Sequence, residues 1–188
     1  MISKIYDDLI KNSEIVFPDR KVVLGDGKIN ADILLIGEAP GGEEEKQGRP
    51  FVGSAGKNLN EFLEIINLDR SEIYITNVVK LRPFKLSPKT NKPINRPPNK
   101  QEIDFFKEYL YKEIDAVNPK IIVTLGNTAL KAVFKDNKAL IGNYHGRITE
   151  VFGKKVFPLY HPASIIYNRE LKVTYLEDLN ALKDILHK

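Results

Sequence analysis

Apolar residues follow two rhythms along this chain. The short stretches Ala31 to Ile36, Ile73 to Val79, Ile121 to Leu125 and Lys155 to Leu159 are dense in aliphatic and β-branched residues and predict buried strands. Between them, apolar residues recur every three or four positions, as one face of a helix requires. Ile5, Leu9 and Ile10 mark a helix from Ser3 to Lys11. Leu59, Phe62, Leu63 and Ile66 mark a second, and Ile103, Phe106, Leu110, Ile114 and Val117 a third, led in by Pro98 or Asn99. A short helix through Leu130 to Phe134 follows Gly126, and a last one carries Tyr175, Leu176, Leu179, Leu182 and Leu186. Strands alternating with helices predict right-handed crossovers and a mostly parallel sheet covered on both faces. The expected fold class is therefore α/β, a three-layer αβα arrangement forming one domain over residues 1–188. Arg82 to Asn99 breaks both rhythms. Its prolines, Pro83, Pro88, Pro93, Pro97 and Pro98, predict a long connection that is neither helix nor central strand, and connections of that length are often functional.

Charge sharpens this picture. The chain of 188 residues has a formal net charge of +4. Seven of its basic residues, Lys80, Arg82, Lys85, Lys89, Lys92, Arg96 and Lys100, fall in one stretch without an acidic residue, which leaves the rest net negative. A positive segment on a slightly acidic body suits a polyanion, although a solvated loop has the same composition. No apolar run reaches membrane-spanning length and no secretion signal is visible, which points to the cytoplasm. The chain has no cysteine, which excludes disulfides, zinc thiolate sites and cysteine-ligated clusters. His145, His161 and His187 lack metal-ligand spacing, so no metal is expected.

The chemistry-bearing residues gather where predicted strands end, the place where open α/β sheets collect ligands. Gly37-Glu38-Ala39-Pro40-Gly41 follows the first strand, and Gly48-Arg49-Pro50-Phe51-Val52-Gly53 lies just beyond. The first loop fits neither nucleotide-binding glycine pattern, and Glu38, Glu43, Glu44 and Glu45 would repel a phosphate. Glu43 and Glu45 read as solvated. Glu38, directly after an apolar strand, needs a partner or a task. Phe51 suits either the core or a stacking platform. Asn77 is polar inside an apolar strand, where its amide must tie a loop or contact a ligand. His161, in Leu159-Tyr160-His161-Pro162-Ala163-Ser164, is either a structural imidazole or a site residue.

Taken together, these blocks resemble the iron–sulfur-type, family-4 uracil-DNA glycosylases from about Lys21 to the last helix. The resemblance rests on Gly37 to Gly41, on Gly48 to Gly56, on Tyr74-Ile75-Thr76-Asn77-Val78-Val79-Lys80, on Asn118-Pro119 before a strand ending Leu125-Gly126, and on His161-Pro162. It implies a pocket for a base extruded from DNA. Glu38 would belong to the water-positioning motif, with Gly37 and Ala39 on the same wall. Phe51 would stack on the base, Asn77 would read its edge, His161 would face O2 and Glu44 would crowd C5 against thymine. Lys80, Arg82 and Lys85 would meet phosphates, Ser164 would approach the groove, and Ile165 or Ile166 would wedge into the gap.

The pattern also departs from that family. Four cluster cysteines are replaced by Asn12, Ile15, Leu81 and Phe106, so no iron–sulfur cluster is expected and packing is expected to substitute as the anchor. Ala39 stands where better-known relatives place an aspartate base. The basic proline-rich loop is longer than usual and has no histidine for covalent capture of DNA. The family's arginine after the His-Pro loop is Tyr167, or is displaced to Arg169. The leading expectation is a monomeric, monofunctional glycosylase that removes uracil from DNA. A non-catalytic DNA- or lesion-binding homologue, a glycosylase for hypoxanthine or xanthine, and a small-nucleotide hydrolase remain as alternatives.

Overall fold

The computed structural model describes residues 1–168 and 170–187, with the side chains of residues 165–167 outside the description. Helices α1 (Ile2–Val16), α2 (Gly42–Gln47), α3 (Ser54–Ile65), α4 (Lys100–Val117), α5 (Asn127–Phe134), α6 (Pro162–Tyr167) and α7 (Glu170–Leu186) alternate with strands β1 (Asp26–Gly27), β2 (Ile33–Gly37), β3 (Tyr74–Asn77), β4 (Phe84–Leu86), β5 (Pro93–Asn95), β6 (Ile121–Leu125), β7 (Thr149–Val151) and β8 (Lys154–Leu159). Six strands form one sheet in the order β1-β3-β2-β6-β8-β7. Its inner four run parallel, and the short edges β1 and β7 pair antiparallel.

Alternation along the inner strands sends side chains into two apolar layers. Leu34, Ile36 and Ile122 pack with Leu9 of α1, Phe106 and Leu110 of α4 and Ala129 of α5. Leu35, Val123 and Phe157 face Leu59, Phe62 and Leu63 of α3 and Leu179 and Leu182 of α7. The three-layer αβα expectation therefore holds. No described helix is long and apolar enough to cross a membrane.

Two local expectations need correction. Ile10 and Leu176 lie on exposed faces, because their helices turn narrower apolar stripes to the core than the spacing suggested. The proline-rich segment is neither helix nor central strand, as expected, but it is an ordered β-hairpin and not merely a long connection. β4 and β5 pair antiparallel as Phe84↔Asn95, Lys85↔Ile94 and Leu86↔Pro93. Prolines are compatible with such a ribbon because each strand has a free edge that needs no ladder hydrogen bond. Asn91, left-handed at φ 50°, turns the chain at its tip, and Ser87 N–H donates to the Lys92 carbonyl.

Candidate active site

Parallel register brings the polar strand ends together. Gly37 ends β2 directly opposite Asn77, the end of β3. His161 follows β8, and Gly126 follows β6. All of these feed one open cleft of about 940 Å³, lined by Glu38, Ala39, Glu44, Phe51, Asn77, Gly126, His161 and Ser164 among others. Gly37, expected on the same wall, is instead buried beneath the lining, behind Phe51 and Asn77. A Cβ there would lie 2.5 Å from both Asn77 Oδ1 and Phe51 Cζ, so only glycine lets these two groups close over the strand.

Phe51 is buried and adopts a left-handed backbone with φ 51°. That conformation is uncommon outside glycine and persists only where the surroundings impose it. Here Arg70 imposes it, donating to the carbonyls of Pro50 (2.6 Å) and Phe51 (2.9 Å). Arg70 was not foreseen, because nothing in its local sequence relates it to a loop some twenty positions away. Glu44 binds the two glycine-rich loops together. Its carboxylate accepts N–H bonds from Gly41 (3.1 Å), Val52 (3.0 Å) and Gly53 (2.7 Å). It lines the cleft, but as a tie between loops with its charge already engaged.

Asn77 is held from behind. Its backbone carbonyl accepts from Lys80 Nζ (2.6 Å), which also reaches Thr76 Oγ1 and Glu113 Oε2, each at 2.5 Å. Tyr6 and Tyr74 complete this network around Glu113. Burial pulls the Lys80 ammonium below the usual lysine range, and the facing Glu113 carboxylate opposes that shift. The clamp acts on the backbone, because the Asn77 amide has no hydrogen-bond partner among the described residues and lines the cleft. Lys80 is 0% exposed, so its expected role as a phosphate ligand is overturned. Its charge belongs to the scaffold.

His161 caps α6, with Nδ1 accepting from the Ala163 N–H at 3.2 Å. The proton of the neutral ring therefore sits on Nε2, which leaves Nε2–H as its available donor. Burial lowers the imidazole below its ordinary value, while the Glu38 carboxylate acts in the opposite sense. Gly126, at φ 84°, makes room for this ring, since a Cβ there would meet the His161 Cβ at 3.2 Å. Glu38 accepts from the Thr128 hydroxyl in the first turn of α5, where the helix dipole favours an anion. Thr128 is a further site residue that sequence reasoning missed. Its polar position just after a strand-ending glycine was the available signal.

The other expected DNA contacts lie elsewhere. Arg82 is tied to Asn95 Oδ1 (2.8 Å), the Pro93 carbonyl (3.2 Å) and Glu45 (3.3 Å), while Lys85 projects into solvent from β4. The wedge expected of Ile165 or Ile166, and the substitution at Tyr167 or Arg169, concern groups outside the described residues.

The uracil DNA glycosylase superfamily profile matches residues 24–182, and so takes in the whole cleft. The chain belongs to that superfamily. It is 41% identical over 175 residues to a type-4 uracil-DNA glycosylase of Sulfurisphaera tokodaii, covering 87% of this chain and 74% of the relative. The type-4 uracil-DNA glycosylase of Thermotoga maritima is 40% identical over 170 residues, covering 89% and 84%. A type-5 uracil-DNA glycosylase of Pyrobaculum aerophilum is 30% identical over 158 residues, covering 76% and 66%.

The cluster implied by the type-4 resemblance does not fit this superfamily member. At the positions matched to its cysteines, Leu81 and Phe106 are fully buried in the core, and the Phe106 ring stacks on Phe17 at 5.7 Å beside Phe105. None of the four side chains offers a thiolate. The expectation that packing at the three apolar positions takes over is met at Leu81 and Phe106 but is corrected at Ile15. Ile15 is 74% exposed, and Asn12 lies at the surface with its amide donating to Tyr109. Ile15 thus projects to solvent, and Asn12 is tied at the surface to α4 without entering the core.

Proposed function

We propose that this protein hydrolyses the N-glycosidic bond of uracil in DNA, releasing the free base and leaving an abasic site. The observation that carries the reading is the convergence of Glu38, Phe51, Asn77 and His161, from four separate stretches of chain, on one cleft. A base within a duplex is beyond reach of such a cleft, so the nucleotide must first be taken out of the stack. Phe51, fixed by Arg70, offers a flat face against which the base lies. Uracil presents O4 as an acceptor and N3–H as a donor, which the Asn77 NH₂ and C=O match in order.

Bond cleavage leaves negative charge on the departing base and positive charge on the sugar. His161 Nε2–H meets the first at O2, where a preorganised donor contributes most as charge develops. Glu38, oriented by Thr128, favours the cationic sugar and directs water to C1′. This assignment gives Glu38 the role for which Ala39 has no functional group. The lining side chains named here all come from one chain, which supports action as a monomer. The fully packed positions 81 and 106 support activity without an iron–sulfur cluster.

The test is incubation with oligonucleotides carrying uracil, hypoxanthine, xanthine or cytosine, followed by alkaline cleavage of abasic sites. Scission at uracil alone supports the reading. Scission at a deaminated purine instead would move the activity to another base, and tight binding without scission would make the chain a lesion-binding protein.

A further inference from the structure

The hairpin carries cations that the cleft does not use. Its base is braced by arginines. Arg82 links β5 to Glu45 of α2, and Arg96 bonds the Phe84 carbonyl at 3.1 Å and pairs with both oxygens of Glu102 at 2.7 and 2.8 Å. Arg20 also donates to the Arg82 carbonyl and lies 4.6 Å from the centre of the Phe84 ring. These guanidinium groups are committed to protein partners. Lys85, Lys89 and Lys92 are different, because all three are exposed and have no ion-pair partner among the described residues. No acidic residue interrupts the segment between them.

Placement gives these lysines a task. Asn95 and Arg96, at the hairpin's base, line the cleft together with Ala163 and Ser164 of α6. The acidic side chains of α2 near this mouth are matched: Glu43 pairs with Lys46 at 2.7 Å, Glu45 with Arg82, and Glu44 with three N–H groups. A polyanion approaching the cleft therefore meets neutralised acids and three unmatched cations on a ribbon braced at its base.

We infer that the hairpin 84–95 is an arm that grips the sugar-phosphate backbone of DNA beside the extruded nucleotide, through Lys85, Lys89 and Lys92. Arg82 and Arg96 are its braces, not phosphate ligands. Three phosphate contacts release counterions, so they add about 2 to 3 to the slope of log affinity against log salt on duplex DNA. They carry no sequence preference. The inference rests on the glycosylase reading for the identity of the polyanion, but it is tested without turnover.

Fluorescence anisotropy of an undamaged duplex, titrated across a salt series, reads the slope directly. The triple variant Lys85→Gln, Lys89→Gln, Lys92→Gln should lose about 2 to 3 from the slope, and at least about tenfold in affinity near 0.1 M salt. Lys28→Gln, Lys120→Gln, Lys154→Gln changes net charge equally at the other end of the parallel strands and should keep the slope. Arg82→Gln should weaken binding while keeping the slope, because it loosens the arm without removing a phosphate contact. An unchanged slope in the first triple variant, or equal losses in both triples, overturns the inference. If the wild-type protein binds with the expected slope but excises no base, the arm stands and the glycosylase reading fails.

Discussion

The floor of the cleft and the hairpin beside its mouth are built on opposite principles. The floor consists of strand ends whose positions follow from sheet register, and its charges are satisfied inside the protein. The hairpin lies outside the main sheet, is stapled down at its base and leaves its charges free. Lys80 and Lys85, five residues apart in one basic run, mark the boundary. Lys80 is fully buried against Glu113 behind Asn77, whereas Lys85 faces solvent. The floor suits chemistry that tolerates little displacement, and the hairpin suits a partner met through long-range attraction. Net charge along a sequence does not separate the two, because it records neither burial nor partners.

Removing one member of the buried pair should have the largest effect. Lys80→Met removes the cation that faces the buried Glu113 side chain and should cost about 3 to 5 kcal/mol in urea unfolding. Lys80→Met combined with Glu113→Leu should recover part of that loss. Phe106→Ala should cost a similar amount, about 3 to 5 kcal/mol, if packing holds the place matched to the cluster cysteines. A small loss in either single variant would break the claim that the floor rests on this scaffold.

Next in size is the chemistry. His161→Ala should lower the single-turnover rate by about 100- to 1000-fold, as for loss of one preorganised donor, with folding intact. Its pH dependence carries a sign. Burial lowers the folded imidazole, and Nδ1 is occupied as an acceptor, so the neutral donor persists to lower pH than in a free histidine. The rate should stay level as pH falls through the ordinary imidazole value of about 6.5 and decline only below it. A rate that rises with acid would mean the cationic ring is the active form.

Gly37→Ala sharpens the comparison further. The new Cβ would displace Phe51 or Asn77, and misplacement near 1 Å should cost about 100-fold in rate with a much smaller change in affinity for undamaged DNA. At the small end, Ile15→Ser should shift stability by less than about 0.5 kcal/mol, because that side chain is mostly exposed.

Much of the floor was legible because strand-end loops announce themselves. A carboxylate and an imidazole each followed an apolar run, an amide interrupted another, and parallel order places strand ends together. What stayed hidden were partners fixed only in three dimensions. Glu113 approaches Lys80 from α4, Arg70 reaches back to the Phe51 loop, and Thr128 meets Glu38 across two strands. The hairpin was hidden for another reason. Its prolines argue against a central strand, and a two-stranded ribbon leaves no periodic apolar face to detect.

Single-turnover release of free uracil from an oligonucleotide, with enzyme in excess, tests the central claim most directly when wild type, Asn77→Ala and His161→Ala are compared. Rapid release by the wild type, with each variant slowed at least about 100-fold while still binding DNA, is the predicted result. Uracil left in place by the wild type, or released as fast by both variants, would contradict it.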